Sequence, residues 1–217
     1  MNKKKAGKLL QRFCIGKPGE MQALPGEDLC AESEGPMEDE ELEPVNCAVA
    51  VRAIKDAGIF MLLDRDGCHY LVTEEFILQL RKKDAWKIQC KTETERRNVY
   101  YVKKKGGWEE SPKIANPDAV LVRYESYISQ AANHGEPLAA TGITITSHEG
   151  IQMAGVLYAG ETGYALVNGE HLAMLLGKIY LQRVGDAVVA NGTQVLSLMQ
   201  DTAWKENSFI VQEEGKE

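Results

Sequence analysis

The residues of this chain whose types and spacing best suit a ligand are the cations and tyrosines of a block at residues 81–105. The block holds ten basic residues against three acidic ones. Cations can follow a chain of phosphates while aromatic rings stack on bases, so this composition is typical of surfaces that bind single-stranded nucleic acid. The candidate residues for binding nucleic acid or another partner are Arg81, Lys82, Lys83, Lys87, Lys91, Arg96, Arg97, Tyr100, Tyr101, Lys103, Lys104 and Lys105.

An ordinary solvated surface is the alternative interpretation of the same block. Basic residues are common in the last turn of a helix, and Lys103, Lys104 and Lys105 can protect an exposed edge strand against pairing. The chain as a whole is acidic, with a formal net charge of −7, which counts against strong binding of nucleic acid. On the sequence alone, the solvated surface is slightly favoured.

The element expected to position these cations is a β-hairpin. Side chains alternate along residues 86–91, which predicts that Trp86, Ile88 and Cys90 face the core while Lys87, Gln89 and Lys91 face solvent. Residues 99–103 are β-branched and aromatic, and a strand over 97–103 is the predicted partner. The register stays open, because a shift of one residue exchanges the two faces. The lysines are joined either by Arg97, Tyr101 and Lys103 or by Arg96, Tyr100 and Lys104.

Two further charge blocks precede residue 46. Residues 1–18 carry six basic residues and no acid, and residues 19–44 carry ten acids and no base. The acidic block has three prolines and no aromatic residue, so we expect a disordered linker. The alternative is that its acids cover the chain's own basic surface or occupy the nucleic-acid groove of another protein. The basic arm could form about three turns of an amphipathic docking helix, marginal on its own, through Lys8, Leu9, Leu10, Arg12 and Phe13.

The remaining chemistry-bearing residues do not form a recognisable site. His69, His134, His148 and His171 have no metal-ligand spacing with the cysteines, and we expect neither a metal nor a cofactor. The pairs His148-Glu149 and Glu170-His171 are interpreted as loop and helix-cap residues rather than as a general acid and base. No phosphate-binding glycine loop and no G-x-S-x-G nucleophile motif is present in the sequence. An enzyme would therefore need a site that converges between distant segments.

Local patterns predict an α+β protein that is rich in strands. Asp66-Gly67 and Asn191-Gly192 predict hairpin turns. Asn116, Pro117 and Gly135 delimit a central helix. Thr73 predicts the cap of a helix at 74–80, and a short helix is expected at 170–176. Strands are predicted at 47–54, 59–63, 68–72, 143–146, 152–159, 164–167, 179–184, 187–190, 193–199 and 208–212.

The order of predicted elements is similar on the two sides of the central helix. Each side follows the sequence strand, turn, strand, helix, strand, strand, which suggests an internal duplication of residues 47–105 and 141–200. The expected divisions are a basic arm with an acidic linker at 1–46, a first β-rich half at 47–115, a connecting helix at 116–135 and a second β-rich half at 136–217. Chance recurrence of hairpin-plus-helix units is the alternative, and we favour it over true duplication.

Composition bounds the functional class. The chain is 44% hydrophobic, enough for a core, and no apolar run approaches the roughly 20 residues of a membrane helix. Five widely spaced cysteines without a C-x-x-C motif predict reduced thiols in the cytoplasm. The leading hypothesis is a non-enzymatic binding or regulatory protein with a protein partner, which modulates or inhibits a machine that handles nucleic acid. An enzyme with a site between the halves and a structural component of an assembly are the alternatives. Nothing in the sequence fixes the oligomeric state.

Overall fold

The structure is a computed structural model, and it describes residues 42–111, 116–147, 154–199 and 209–213 of the chain. The helices of this part are α1 (Cys47–Ala57), α2 (Lys82–Thr92), α3 (Pro117–His134) and α4 (Gly169–Leu172). The strands are β1 (Ile59–Arg65), β2 (Cys68–Val72), β3 (Phe76–Leu80), β4 (Tyr100–Lys104), β5 (Gly107–Glu110), β6 (Glu136–Ser147), β7 (Ala154–Gly160), β8 (Gly163–Asn168), β9 (Leu181–Val184), β10 (Ala187–Ala190), β11 (Gln194–Ser197) and β12 (Phe209–Glu213).

One antiparallel sheet connects all of these strands. Eleven follow a single path in the order β5-β4-β1-β2-β3-β11-β10-β9-β6-β7-β8, and β12 pairs with β6 beside this path. The N-terminal and C-terminal parts of the chain meet where β3 pairs with β11, with Ile77 opposite Val195. The described residues therefore form a sheet-rich α+β fold, as the sequence predicts.

The long strand β6 carries the sheet around a bend. Its first residues pair with β9, whereas its later residues pair with both β7 and β12. The register against β7 shifts between Ala140 and Thr144, and Gly142 there has a φ of +76°, which glycine adopts without steric cost. Beyond the bend, the backbone N–H of Met199 donates to the carbonyl of Leu166 in β8 at 3.0 Å. This end of the sheet therefore curls back towards its middle.

The curl encloses α1, which is the centre of the larger core. Six of its eleven residues are buried, among them Ala50 and Ile54, which have no exposed surface. They pack with apolar side chains from both ends of the sheet, such as Leu62 in β1 and Val167 in β8. A smaller core lies on the opposite sheet face, where α3 packs Tyr124 and Ala131 against the strands.

The predicted strand at 47–54 is wrong, because this segment is the first part of α1. The valines favoured a strand by intrinsic propensity, but the segment is surrounded by the sheet and its backbone needs internal hydrogen bonds there. Asn46 caps the helix by accepting from the N–H of Val49 at 3.4 Å. Gly58 ends it with a φ of +73°, a left-handed conformation that suits glycine.

The predicted helix at 74–80 is also wrong, because residues 76–80 form β3. Thr73 does accept hydrogen bonds from the N–H groups of Glu75 and Phe76, at 3.1 and 3.0 Å, as a helix cap would. The chain instead turns back, with the N–H of Thr73 donating to the carbonyl of Phe76 at 2.9 Å. All five residues of β3 are buried, since the strand lies mid-sheet with helices on both faces, and such strands lack an alternating pattern.

Most other predicted elements are confirmed. Helix α3 has the predicted bounds, and the turns at Asp66-Gly67 and Asn191-Gly192 connect β1 to β2 and β10 to β11. Of the short helix predicted at 170–176, only the first residues are helical, in α4 (Gly169–Leu172). The duplication is not confirmed: β1 pairs with β4, which follows it in the chain, whereas β7 pairs with β6, which precedes it.

Candidate anion-binding surface

Residues 82–92 form helix α2, so the predicted strand at 86–91, and with it the hairpin that was to display the cations, is wrong. Four buried residues, Asp84, Ala85, Ile88 and Thr92, recur at helical spacing. The helix ends at Thr92 and is capped by Glu93, which has a φ of +54°. Of the three side chains that the alternation over residues 86–91 placed in the core, only Ile88 is buried, whereas Trp86 and Cys90 are exposed.

The opposite side of α2 carries the cations and an exposed tryptophan. We call this surface the Trp86 face; its members are the exposed residues Lys82, Lys83, Trp86, Lys87, Cys90 and Lys91. Trp86 is 62% exposed, although the sequence pattern placed it in the core. Side chains three and four positions apart on a helix are neighbours, so Lys82, Lys83 and Cys90 adjoin the indole ring.

Beneath this face, the Asp84 carboxylate in the first turn of α2 contacts an arginine, a lysine and a thiol. Its carboxylate is 1% exposed, and its Oδ2 accepts from Nε and Nη2 of Arg81, each at 2.7 Å. Nζ of Lys87 lies 3.8 Å from its Oδ1, on a side chain that is 53% exposed. The thiol of Cys47 lies 3.7 Å from the same oxygen. Burial, reinforced by Asp84, raises the pKa of Cys47 above its usual value. Arg81 is thus committed to α2 and is not available to a ligand.

The loop between α2 and β4 turns Arg97 inward. Nη1 of Arg97 donates to both carboxylate oxygens of Asp64, at 2.8 and 2.7 Å, while Nε donates to Oε1 of Gln89 at 3.0 Å. His69 completes the cluster, with Nδ1 2.7 Å from Oδ1 of Asp64. Asn98 binds the same strand, since its side chain accepts from the N–H of Asp64 at 2.7 Å. Arg97 therefore ties the loop to β1 instead of facing a ligand.

Arg96 and the two tyrosines are similarly engaged. Arg96 pairs with Glu110 of β5 at 2.9 Å. Tyr101 is buried, stacks against Phe60 at a centroid distance of 5.7 Å, and accepts from the N–H of Arg96 at 2.9 Å. Tyr100 packs against the smaller core on the other sheet face, and burial raises the pKa of its phenol. Neither ring is placed to stack on a base beside the Trp86 face.

The last lysines of the block lie on β4 and its turn. Nζ of Lys103 donates to the carbonyl of Lys55 near the end of α1 at 2.8 Å. Lys104 and Lys105 are exposed, at the end of β4 and in the turn to β5. The predicted docking residues Lys8, Leu9, Leu10, Arg12 and Phe13 lie outside the described residues. The twelve predicted binding residues are therefore divided among four environments. Lys82, Lys83, Lys87 and Lys91 lie on the Trp86 face, Arg81, Arg96, Arg97 and Lys103 bind other groups of the chain, Tyr100 and Tyr101 pack against the cores, and Lys104 and Lys105 lie at the β4–β5 turn.

Among the histidines, His171 is buried and pairs with Glu75, whose side chain is 55% exposed. Nε2 of His171 lies 3.0 Å from Oε2 of Glu75, and this hydrogen bond lowers the pKa of Glu75. Nδ1 of His171 is buried and has no hydrogen-bond partner among the described residues. Two depressions in the described surface lie elsewhere, one between α3 and Gly185 and one beside Glu43 and Leu175. Neither includes His171 or Glu170, and His148 is outside the described residues, so the enzyme hypothesis gains no support.

The described residues also bear on cysteine chemistry, metal binding and membrane insertion. Cys47, Cys68 and Cys90 are free thiols. In the ranges that the structure covers, no three His, Cys, Asp or Glu side chains lie close enough together to hold a metal ion. The helices described there are also too short or too polar to cross a membrane. Comparisons with protein families, with characterised proteins and with solved structures each find no match for this chain.

Proposed function

We propose that this chain is a non-enzymatic binding protein, which binds single-stranded nucleic acid through the Trp86 face and thereby regulates a machine that handles it. The observation that supports the proposal most directly is the exposure of Trp86 among lysines on one side of α2. Bases stack on exposed aromatic rings, and the lysines beside Trp86 can hold the flanking phosphates.

The division of the cations supports this choice of surface. Arg81, Arg97 and Arg96 bind carboxylates of the chain itself, and Lys103 binds a backbone carbonyl. Lys83 and Lys91, in contrast, lie on the exposed side of α2. Cations that contact a ligand must be presented outward, so the Trp86 face is the part of the block best arranged for this role.

The acidic net charge does not oppose local binding. Charges farther apart than the Debye length, about 8 Å at physiological ionic strength, are largely screened from one another. A strand of nucleic acid on α2 therefore responds mainly to the lysines beside it. The expected affinity is that of non-specific binding, with a dissociation constant on the order of 10⁻⁴ to 10⁻⁶ M.

The test is the affinity of the full chain for a fluorescently labelled oligothymidylate over a series of salt concentrations. Each phosphate contact on a single strand contributes a slope of about −0.7 in the plot of log affinity against log salt. Replacing two cations in Lys83→Gln/Lys87→Gln should weaken binding at low salt about tenfold and reduce the slope by about 1.4. Both side chains are exposed, and Asp84 keeps Arg81 as its closest partner when Lys87 is replaced, so the variant is expected to stay folded.

The matched control is Lys104→Gln/Lys105→Gln, which changes the net charge equally at the β4–β5 turn. We expect its affinity to fall by less than about twofold, since its effect is a screened long-range one. Equal losses in the two variants would show that only net charge matters and would reject the Trp86 face. Absence of binding at low salt would reject nucleic acid as the partner.

A further inference from the structure

We propose that the acidic segment at residues 20–41 binds the Trp86 face of its own molecule and competes there with nucleic acid. The proposal rests on the function proposed above, because it assigns a second, internal occupant to the same surface. It gives the acidic segment a regulatory role, where composition alone favours a linker.

The structure fixes where this segment joins the fold. Leu42 is buried, Val45 forms a β-bridge with Leu175, and the N–H of Asn46 donates to the carbonyl of Met174 at 2.7 Å. The next residue, Cys47, begins α1, and its Sγ lies 3.7 Å from Oδ1 of Asp84 in the first turn of α2. The acidic segment therefore ends only a few residues along the chain from Cys47, whose side chain contacts the helix that carries the Trp86 face.

The segment is long enough to reach every part of this face. Helix α2 is about 16 Å long at 1.5 Å per residue. An extended chain spans up to about 3.5 Å per residue, so the roughly twelve residues from Leu42 to Cys30 reach up to about 40 Å. The acidic run of Glu38 to Glu41 lies immediately before Leu42, and it is the part with the shortest tether.

Charge complementarity selects this segment as the occupant. Residues 20–41 carry nine acids and no base, and the Trp86 face carries four lysines and no acid. The segment also contains Met37 next to the acidic run, and a thioether makes favourable contacts with an aromatic ring. It thus offers both kinds of group that the face would bind in nucleic acid: anions in series and a soft apolar group for the indole.

Because the acidic segment is covalently connected to the fold, even a weak affinity for the Trp86 face gives high occupancy. A short tether gives an effective concentration on the order of 1 mM. If the segment binds the face with a dissociation constant on the order of 0.1 mM, the weak end of non-specific polyanion binding, it occupies most of the molecules. External nucleic acid then binds about tenfold more weakly than it would to an uncovered face.

The first experiment neutralises the acidic run in the full chain with Glu38→Gln, Asp39→Asn, Glu40→Gln and Glu41→Gln. We expect the affinity for labelled oligothymidylate at low salt to rise about three- to tenfold. The control carries the same change in net charge at Asp56→Asn, Glu125→Gln, Glu161→Gln and Glu213→Gln, which lie outside both the segment and α2. Its affinity should rise by less than about twofold. Equal increases in the two variants would overturn the proposal.

The second experiment reads the contact without nucleic acid. Cys30 lies within the acidic segment and Cys90 is exposed on the Trp86 face, so mild oxidation should form an intramolecular Cys30–Cys90 disulfide, detected by peptide mapping. It should form less in high salt and in Lys83→Gln/Lys87→Gln. Cys14, in the basic arm, is the internal comparison and should not pair preferentially with Cys90.

The two experiments separate the two proposals. If the disulfide forms in a salt-sensitive way but oligothymidylate binds neither the unmodified chain nor the variant with the neutralised acidic run, the internal contact stands and nucleic acid is the wrong partner. If oligothymidylate binds through the Trp86 face but neutralisation leaves its affinity unchanged, the function stands and competition is rejected. A Cys30–Cys90 disulfide that forms only between molecules would overturn the intramolecular contact.

Discussion

The two ends of the basic block at residues 81–105 have similar compositions and opposite arrangements. At residues 82–91, lysines lie on the exposed side of α2 around Trp86. At residues 96–103, Arg96, Arg97 and Lys103 bind Glu110, Asp64 and the carbonyl of Lys55, all within the chain. One end presents its charge outward, and the other uses its charge to hold a loop and a strand in place.

The difference shows what decides the role of a cation. On α2, helical spacing sends every residue of the Trp86 face away from the sheet. In the loop, the chain must return to the edge of the sheet beside β1, and this path brings the guanidinium of Arg97 to Asp64. The number of charges along the sequence contains no information about the helical period of α2 or the path of the loop. Charge alone therefore predicts that both ends of the block belong to one surface.

The largest effect on stability is expected at Arg81, which lies at the α2 end of the block but points inward to Asp84. Arg81→Ala leaves the Asp84 carboxylate buried without its closest partner, and loss of one member of a buried ion pair costs about 3–5 kcal/mol. Because Arg81 keeps some contact with solvent, we expect a loss of about 3 kcal/mol in the free energy of unfolding, measured by urea denaturation. Lys83→Ala, on the exposed side, should change it by less than about 0.5 kcal/mol. Similar values for the two variants would remove the distinction between inward and outward cations.

The next effect is expected at Arg97. Arg97→Gln removes the hydrogen bonds to Asp64, and hydrogen bonds to charged groups contribute about 1.5–3 kcal/mol each. With Asp64 partly exposed and His69 still beside it, we expect a loss of about 2 kcal/mol in the free energy of unfolding. The affinity for oligothymidylate should fall less than twofold, since Arg97 faces inward.

A double-mutant cycle tests whether this loss comes from the pair. Asp64→Asn/Arg97→Gln should be destabilised by less than the sum of the two single variants, because residues in direct contact are not additive. An additive result, or a strong loss of oligothymidylate binding in Arg97→Gln, would show that Arg97 belongs to the binding surface and does not hold the loop to β1.

The sequence predicted those elements whose local signals agree with their surroundings. Helix α3 has a cap, a proline at its first position and one apolar face, and its bounds match. The hairpin turns at Asp66-Gly67 and Asn191-Gly192 match as well, because positive φ at these positions is a local requirement.

The failures occurred where tertiary surroundings override local signals. Val49 and Val51 favour a strand, but their segment is enclosed by the sheet as a helix. Phe76, Ile77 and Leu80 were interpreted as one face of a helix, because a strand buried on both faces has no alternation. For the candidate site, the sequence predicted one cationic hairpin face, whereas residues 82–92 form a helix. The exposure of Trp86 depends on distinguishing a period of 3.6 from one of 2 over six residues.

Trp86 provides the sharpest test of the outward end. Base stacking on an aromatic ring contributes about 1–3 kcal/mol per base, so Trp86→Ala should weaken oligothymidylate binding by about 1–2 kcal/mol, or about five- to thirtyfold. The free energy of unfolding should change by less than about 0.5 kcal/mol, since the ring is 62% exposed. Trp86→Phe should retain part of the affinity. A large loss of stability with unchanged affinity would show that Trp86 supports the fold and does not bind a base.

The smallest effect is expected at Lys103, which lies between the two extremes. Its Nζ binds the carbonyl of Lys55 in the last turn of α1, where a cation also interacts favourably with the helix dipole, by about 0.3–1 kcal/mol. Because the side chain is exposed, Lys103→Ala should lower the free energy of unfolding by about 0.5 kcal/mol, and 1 M salt should remove much of the difference. Lys104→Ala, the neighbouring exposed lysine, should show neither effect. If Lys103→Ala instead weakened oligothymidylate binding as strongly as Lys83→Gln/Lys87→Gln, the binding surface would extend from α2 to β4, and the two ends of the block would form one site.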